Sequence, residues 1–441
     1  MNGHWKSTGS RMVILLAIAA LAGLTYAADK PDAPAGDEAG FVEIFNGKNL
    51  DGWDGDPRLW SVVDGAIRGQ TTKENPARGN TFCVWRGGKL KNFVLKLKFR
   101  IQNGNSGVQY RSKESDKWRV GGYQAEVENN PGKVGFLYHE RGRGWMVNVG
   151  DFMVVEQDKD GKIHKNVVGK VSDVKALKEA GYYNMKDWNE YTITARGNHL
   201  VHLLNGYPMI EMIDNDPKGR AMEGILALQI HAGPPMTVEF KDIRLKELKE
   251  DYGEAVRLFN GENLDGWTFS GDNQKDVWSV KDGVLADSGR PAGYIRTKDD
   301  FTNYVLRLQF RHVTKGNSGV LVRMVGEDKV WPKSIEAQGM TGSVGDIFSI
   351  DKFPIETGRN RGRYTPKLHP SNEKPLGEWN QYEITLDGGD LEIKVNELVQ
   401  NKGADLLETP GKICLQAEGS QKEVRNIVLI PILRKEGKKD K

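Results

Sequence analysis

The chain writes one passage twice. Gly104-Asn105-Ser106-Gly107-Val108-Gln109-Tyr110-Arg111 returns as Gly316-Asn317-Ser318-Gly319-Val320-Leu321-Val322-Arg323. Other segments return in the same order. Phe45-Asn46-Gly47-Lys48-Asn49-Leu50-Asp51-Gly52-Trp53 matches Phe259 to Trp267, and Trp60-Ser61-Val62-Val63-Asp64-Gly65 matches Trp278 to Gly283. Trp188-Asn189-Glu190-Tyr191 matches Trp379-Asn380-Gln381-Tyr382, and Leu228-Gln229 matches Leu415-Gln416. A repeat at about 200 residues is a domain duplication, since solenoid units recur every ~20–50 residues. Two domains are therefore expected, over 41–248 and 255–433, joined by a charged linker at 249–254.

Before each copy of the passage the residues alternate strictly. Phe93, Leu95, Leu97, Phe99 and Ile101 oppose Lys96, Lys98 and Arg100. Tyr304, Leu306, Leu308 and Phe310 oppose Arg307, Gln309 and Arg311. Period two with one apolar side predicts a half-buried antiparallel strand. The glycine- and asparagine-rich passage then reads as a tight hairpin turn, where glycine takes a positive φ without steric cost. Asp-Gly, Asn-Gly and Gly-Gly turns punctuate both halves, and only Ser172 to Ala180 has a helical pattern. Many short strands predict an all-β chain of two tandem β-sandwich or jelly-roll domains.

Lys6 and Arg11 precede an apolar run from Met12 to about Leu24, and Thr25-Tyr26-Ala27 supplies small residues. Residues 1–27 read as a signal peptide, which predicts a secreted or periplasmic protein with no membrane segment after cleavage. A single-pass anchor is the competing reading, but the run is short against the ~20 residues a bilayer needs. Residues 28–40 read as a disordered spacer and 434–441 as a solvated basic tail. Formal charge is +3 with both signs interspersed, which argues against nucleic acid. Cys83 and Cys414 stand at non-matching places and read as core thiols, not a disulfide.

Three segments of the first copy place polar groups on alternate positions. Gln109 and Arg111 share one face, as do Gln124, Glu126 and Glu128, and Gln229 and His231. Arg, Glu and His on neighbouring strands suit a sugar-binding or catalytic concavity, although an ordinary solvated sheet face has the same period. In the second copy Ile335-Glu336-Ala337-Gln338 aligns with Tyr123-Gln124-Ala125-Glu126, so Glu and Gln exchange places. Leu415-Gln416-Ala417-Glu418 aligns with Leu228-Gln229-Ile230-His231, so His becomes Glu, while Arg323 is kept. There is no H-E-x-x-H zinc signature, no G-x-S-x-G elbow and no phosphate loop. Two carboxylates two residues apart on a strand lie about 6.8 Å apart at Cα, a spacing that a two-carboxylate glycosidase permits.

The ordered set is more specific than any one motif. Trp-Ser-Val-x-Asp-Gly, Gly-Asn-Ser-Gly-Val, Gly122-Tyr123-Gln124-Ala125-Glu126, Leu137-Tyr138 through Arg141, Trp188-Asn189-Glu190-Tyr191 and His199 to Gly206 occur in sequence. Leu228 through Met236 then leads to Phe240-Lys241-Asp242-Ile243-Arg244. This resembles the 3-keto-disaccharide hydrolase family, in two tandem copies from about Phe41 to Ile432. The second copy resembles the branch with Ile-Glu-Ala-Gln, Gly345-Asp346 and Leu-Gln-x-Glu. The resemblance implies a concanavalin A-like jelly roll and breakdown of 3-keto glycosides or disaccharides by acid–base chemistry at C2 and C1. A 3-keto sugar has an acidic hydrogen at C2, so the site needs a base, an enolate stabiliser and an acid for the leaving oxygen. On this reading His231 and Glu126 form the acid–base pair and Arg111 sits near the developing charge. Tyr138 and Glu128 are secondary candidates, while Gln109, Gln124, Gln229, Arg323, Glu336, Gln338, Gln416 and Glu418 bind substrate. The residues fix no cofactor, and the open alternative is a divalent metal held by Glu and His that polarises the ketone. The expected partner is a sugar or glycoside. The rival reading is a non-catalytic, lectin-like carbohydrate-binding protein, or one catalytic and one binding domain.

Overall fold

The computed structural model describes residues 1–2 and 38–434. The expected signal peptide, most of the spacer and the basic tail lie outside the described residues. Residues 41–433 form two jelly-roll β-sandwiches. In the first, a ten-stranded sheet faces a seven-stranded one; in the second, a nine-stranded sheet faces a seven-stranded one. Here the larger sheet of each pair is called inner and the smaller outer. The two outer sheets repeat one strand order. From Trp53–Asp54 it runs through Thr81–Trp85, Ile225–Ile230, Asn105–Asp116, Arg119–Glu128 and Leu137–Glu140 to Gly144–Val147. In the second domain the matching order is Trp267–Phe269, Gly293–Thr297, Lys412–Ala417, Gly319–Val325, Lys333–Gln338, Ile347–Ile350 and Tyr364–Thr365.

The alternation in Phe93–Gln102 translates directly into burial: Phe93, Leu95, Leu97, Phe99 and Ile101 all lie in the core between the sheets. Each such side chain contributes about 1.5–3 kcal/mol on leaving water. The partner strand differs from the expectation. Phe93–Gln102 belongs to the inner sheet, between Asn189–Arg196 and Thr237–Glu247, whereas Asn105–Asp116 belongs to the outer sheet. Asn103 and Gly104, with φ of 59° and 62°, turn the chain from one layer to the other. The connection is an arch between sheets and not a hairpin, and Asn105-Ser106-Gly107 lies within the returning strand. The second copy crosses in the same way, from Tyr304–His312 to Gly319–Val325.

A short helix at Val174–Glu179, capped by Asp173 accepting from the Ala176 N–H, stands where the sequence placed one. It follows two strands, Asp151–Gln157 and Ile163–Lys170, that extend the first inner sheet and have no counterpart in the second domain. This extension docks the domains. Phe152, Val154, Val171 and Ile213 pack against Val305, Val428, Ile430 and Ile432. The carbonyls of Val171 and Lys170 accept from Gln309 at 3.0 Å and Asn426 at 2.7 Å. The inner sheets thus lie back to back and the outer sheets face away from each other. Arg307 and Gln309, polar in the alternation, are buried because the first domain covers them.

The connector is also ordered. Lys246 and Glu247 end the last strand of the first domain, and Asp251–Tyr252 pairs with Leu433 and Ile432. Cys83 and Cys414 are free and buried. Among the described residues no helix is long and apolar enough to cross a membrane.

Candidate functional site

The outer face of the first domain's outer sheet carries a directed chain of hydrogen bonds. Cross-strand neighbours share a sheet face, and Gln109 pairs with Gln124, which pairs with Tyr138, which pairs with Trp145. The Ser112 hydroxyl donates to Gln109 Oε1 (2.6 Å), and Gln109 Nε2 donates to Gln124 Oε1 (2.7 Å). Gln124 Nε2 then donates to Glu126 Oε2 (2.8 Å) and approaches Gln229 Oε1 (3.4 Å). Gly107, paired with Glu126, explains the glycine of the repeated passage. A Cβ there would lie 2.4 Å from the Gln124 side chain, so only a bare backbone lets that amide cross to the carboxyl.

Glu126 is 4 % exposed. Burial pushes its carboxyl up to about 8, the Gln124 bond opposes this, and the charges of Glu128 and Glu140 add to it. The group is mostly protonated at neutral pH. The Gln124 bond to Oε2 favours the proton on Oε1. Gln229 Nε2 is buried without a partner among the described residues, so an N–H donor beside the acid is unspent.

His231 follows the Ile225–Ile230 strand and is half-buried. Its Nδ1 lies 2.6 Å from the Ala232 carbonyl. A carbonyl only accepts, so Nδ1 carries the hydrogen and neutral His231 keeps a basic lone pair on Nε2. Asn80 ties this end of the strand to the carboxylate group: its Oδ1 accepts from the Ala232 N–H at 3.0 Å and its Nδ2 donates to Glu140 at 3.2 Å. Glu140 was not among the expected site residues, although its alternation with Tyr138 carries a signal. Asn80, in a loop before Thr81, carried no signal. Tyr138 is half-buried beside Gln124, and Glu128 is half-buried opposite Asn105.

Arg111 is corrected by the structure. The strand bulges between Tyr110 and Lys113, and Arg111 takes φ 47°, so the parity of alternation is lost and its side chain leaves the polar face. It is 1 % exposed, and its guanidinium donates to the carbonyls of Lys91 (2.7 Å), Gly197 (2.6 Å) and Ala221 (3.3 Å) and to Asn92 Oδ1 (3.2 Å). Arg323 is corrected for the same reason. At φ 51° it donates to the carbonyls of Leu407 (2.7 Å), Gly388 (2.5 Å) and Thr302 (3.4 Å) and to Asn303 Oδ1 (3.5 Å). Each arginine is a clamp between its domain's two sheets.

The second domain builds a different cluster at the equivalent place. Leu321 pairs with Glu336 and Glu336 with Phe348, so Glu336 stands where Gln124 stands and Gln338 where Glu126 stands. Gln338 Oε1 is occupied by the N–H groups of Gly339 and Met340, both at 2.8 Å. Burial drives Glu336 up to about 8, helped by Glu418 and opposed by Arg363 and Lys422. Burial also raises Glu418, against a bond from Asn317. Glu336 Oε1, Gln416 Oε1 and Glu418 Oε2 have no donor among the described residues. The place of Phe136 and Trp145 is taken by Asp346 and Tyr364, bonded at 3.0 Å. No group of three or more His, Cys, Asp or Glu among the described residues is placed to hold a metal ion. No step below runs through a metal.

The family described as the 3-keto-alpha-glucoside-1,2-lyase-like domain matches residues 40–246 and again 254–430. The chain belongs to that family. A curated relative, the 3-keto-disaccharide hydrolase of Bacteroides thetaiotaomicron, is 23% identical over 190 residues, covering 39% of this chain and 66% of that protein. A candidate glycosyl hydrolase of Parabacteroides distasonis is 25% identical over 41% of this chain and 100% of its own, with a TM-score of 0.32. A carbohydrate-binding module of Bacillus subtilis is 10% identical over 37% of this chain and 93% of its own, with a TM-score of 0.29. Each of the two sandwiches is thus one member domain of the lyase-like family.

Proposed function

We propose that the first domain cleaves 3-keto glycosides by elimination followed by hydration. The observation that carries this reading is the pairing of a protonated, buried Glu126 with an unspent Gln229 amide on the face where His231 keeps a basic Nε2. His231 Nε2 takes the C2 proton, which the 3-ketone acidifies. The electron pair forms the C2–C3 enolate, whose oxygen accepts from Gln229 Nε2, in the place first expected of Arg111. The pair then forms the C1–C2 double bond as the C1–O bond breaks, and Glu126 Oε1 protonates the departing oxygen. Water adds across the double bond to give the free 3-keto sugar. A buried N–H donor at a developing oxyanion and a placed acid–base pair each act through the transition state.

In the second domain no histidine stands at the base position, and the acceptor-rich Glu336–Gln416–Glu418 cluster supports binding of sugar hydroxyls in preference to the same elimination. The composition of residues 1–27 supports export, and N-terminal sequencing of protein from the native host, expected to begin near Ala28, tests it. The catalytic reading is tested by incubating the chain with 3-keto and unmodified disaccharides, with and without chelator. Turnover of the 3-keto substrate alone is expected, lowered about 10²–10⁴-fold in His231→Ala with an unchanged melting temperature. Near-normal turnover by well-folded His231→Ala overturns it.

A further inference from the structure

Beside Glu126 the first domain exposes an aromatic surface that no step above uses. Trp145 is 45 % exposed, whereas Phe136 beneath it is 4 % exposed. The two rings lie flat on each other, with centroids 3.8 Å apart and planes 10° apart. Trp145 is the only aromatic among the exposed large apolar side chains of the first domain's described residues. Its strand neighbour is Tyr138, itself the neighbour of Gln124, while the carbonyl of Phe136 accepts from the Glu126 N–H at 3.1 Å. The stack therefore stands directly alongside the acid. Its backbone is pinned as well: Lys165 Nζ, from the extension unique to this domain, donates to the carbonyls of Arg143 (2.8 Å) and Trp145 (2.6 Å).

Leaving nearly half of a tryptophan in water on an edge strand forgoes burial energy. A flat, rigid aromatic face held by a second ring has instead the form that complements the apolar C–H face of a pyranose, because the ring face is electron-rich. At the equivalent place in the second domain Tyr364 donates to Asp346 and meets Phe348 at a 42° tilt, so no flat stack of two rings is presented there. We propose that Trp145, backed by Phe136, is a stacking subsite for the sugar ring joined to the one held at Glu126, and so makes the first domain selective for disaccharides over simple glycosides. This rests on the Glu126 face being the sugar site.

The test is calorimetric titration of unmodified maltose and methyl α-glucoside into the wild-type chain, Trp145→Ala and Trp145→Phe, with melting temperatures and 3-keto disaccharide turnover measured in parallel. Maltose should bind the wild type about tenfold more tightly than the methyl glycoside. Trp145→Ala should lose that difference and melt somewhat earlier, because it uncovers Phe136, while Trp145→Phe should keep most of both the difference and the melting temperature. Equal weakening for both ligands, unchanged maltose affinity in Trp145→Ala, or no maltose binding by the wild type overturns the subsite. Trp145-dependent maltose binding without any 3-keto turnover upholds the subsite and removes the elimination reading alone.

Discussion

Arg196 of the first domain grips Glu383 of the second through both carboxylate oxygens, at 2.9 and 3.1 Å, with both side chains almost fully buried. Arg307 bonds the same carboxylate from within the second domain, and Lys394 stands 3.7 Å away. Burial alone would raise Glu383, but Arg196 and Arg307 outweigh it and hold the carboxyl well below its ordinary range.

Removing the acid leaves two buried cations facing each other. Glu383→Gln is expected to cost about 3–5 kcal/mol in urea unfolding, whereas replacing Arg196, Arg307 and Glu383 together by Met, Met and Leu should be close to neutral. Because the folded carboxyl titrates below the unfolded one, this stabilisation is present above about pH 4.5 and is lost as pH falls. Wild type and Glu383→Gln should therefore converge in acid. A constant gap from pH 7 down to pH 3 would contradict the assignment.

Glu126 has the opposite sign. Its folded carboxyl titrates at about 8 against an ordinary 4.5, so the native state holds a proton that the unfolded chain has released. Stability should fall as pH rises between those values. Glu126→Gln should melt with the wild type at pH 4 and later than it at pH 9, by an amount on the order of a few kcal/mol. Its turnover should drop about 10²–10⁴-fold at every pH, and wild-type kcat/KM should decline above about pH 8. A wild-type profile still rising at pH 9 would show that the acid is another group.

The sequence made some of this legible. The alternation of Phe93 to Ile101 reported which side chains are buried, because burial follows the pleat whatever the strand pairs with. It could not report the partner strand. Asn103 and Gly104 permit the positive φ of either a hairpin or an arch, and only packing of the whole domain selects the arch. Arg111 was misplaced because a bulge shifts parity by one without changing residue types. Arg307 and Gln309 look like a solvent face in any local reading, and what covers them is a strand pair some 140 residues away in the chain. Gln124, Glu126 and Gln229 lie on the face that their alternation predicts, because they sit on unbroken pleat. The stack of Trp145 on Phe136 could not be read that way, since it depends on a chain reversal between them.

The clamps predict a stability phenotype. Arg111→Lys and Arg323→Lys each replace a planar fork serving four acceptors with a single ammonium. Each is expected to lose about 2–4 kcal/mol in unfolding. Substrate KM in Arg111→Lys should stay near wild type at a temperature where the protein is folded. A large KM change with unaltered stability would return Arg111 to the site.

Gly107→Ala tests the route of the Gln124 amide. The added methyl should displace that side chain at a cost of about 1–3 kcal/mol. It should also remove the bond that holds Glu126 down, so the alkaline limb of the rate profile should move to higher pH. An unshifted limb together with unchanged stability would mean the amide has room to spare.

Trypsin should leave Lys246 to Glu254 intact under native conditions, because that connector is paired to both domains. Early cleavage there, ahead of exposed loops, would mean that the domains separate in solution.

The back-to-back arrangement of the inner sheets has a consequence for valency. Four stacked layers at about 10 Å each set the outer faces roughly 30 Å apart, pointing in opposite directions. No disaccharide spans that distance, so on the proposed reading nothing passes hand to hand between the faces, and a product leaving one would return to bulk solvent before it met the other. Avidity on a single short chain is equally ruled out. Drift in Glu336 or Glu418 is thereby invisible to Glu126, and a duplication joined in this way leaves each copy free to change its ligand without disabling its twin.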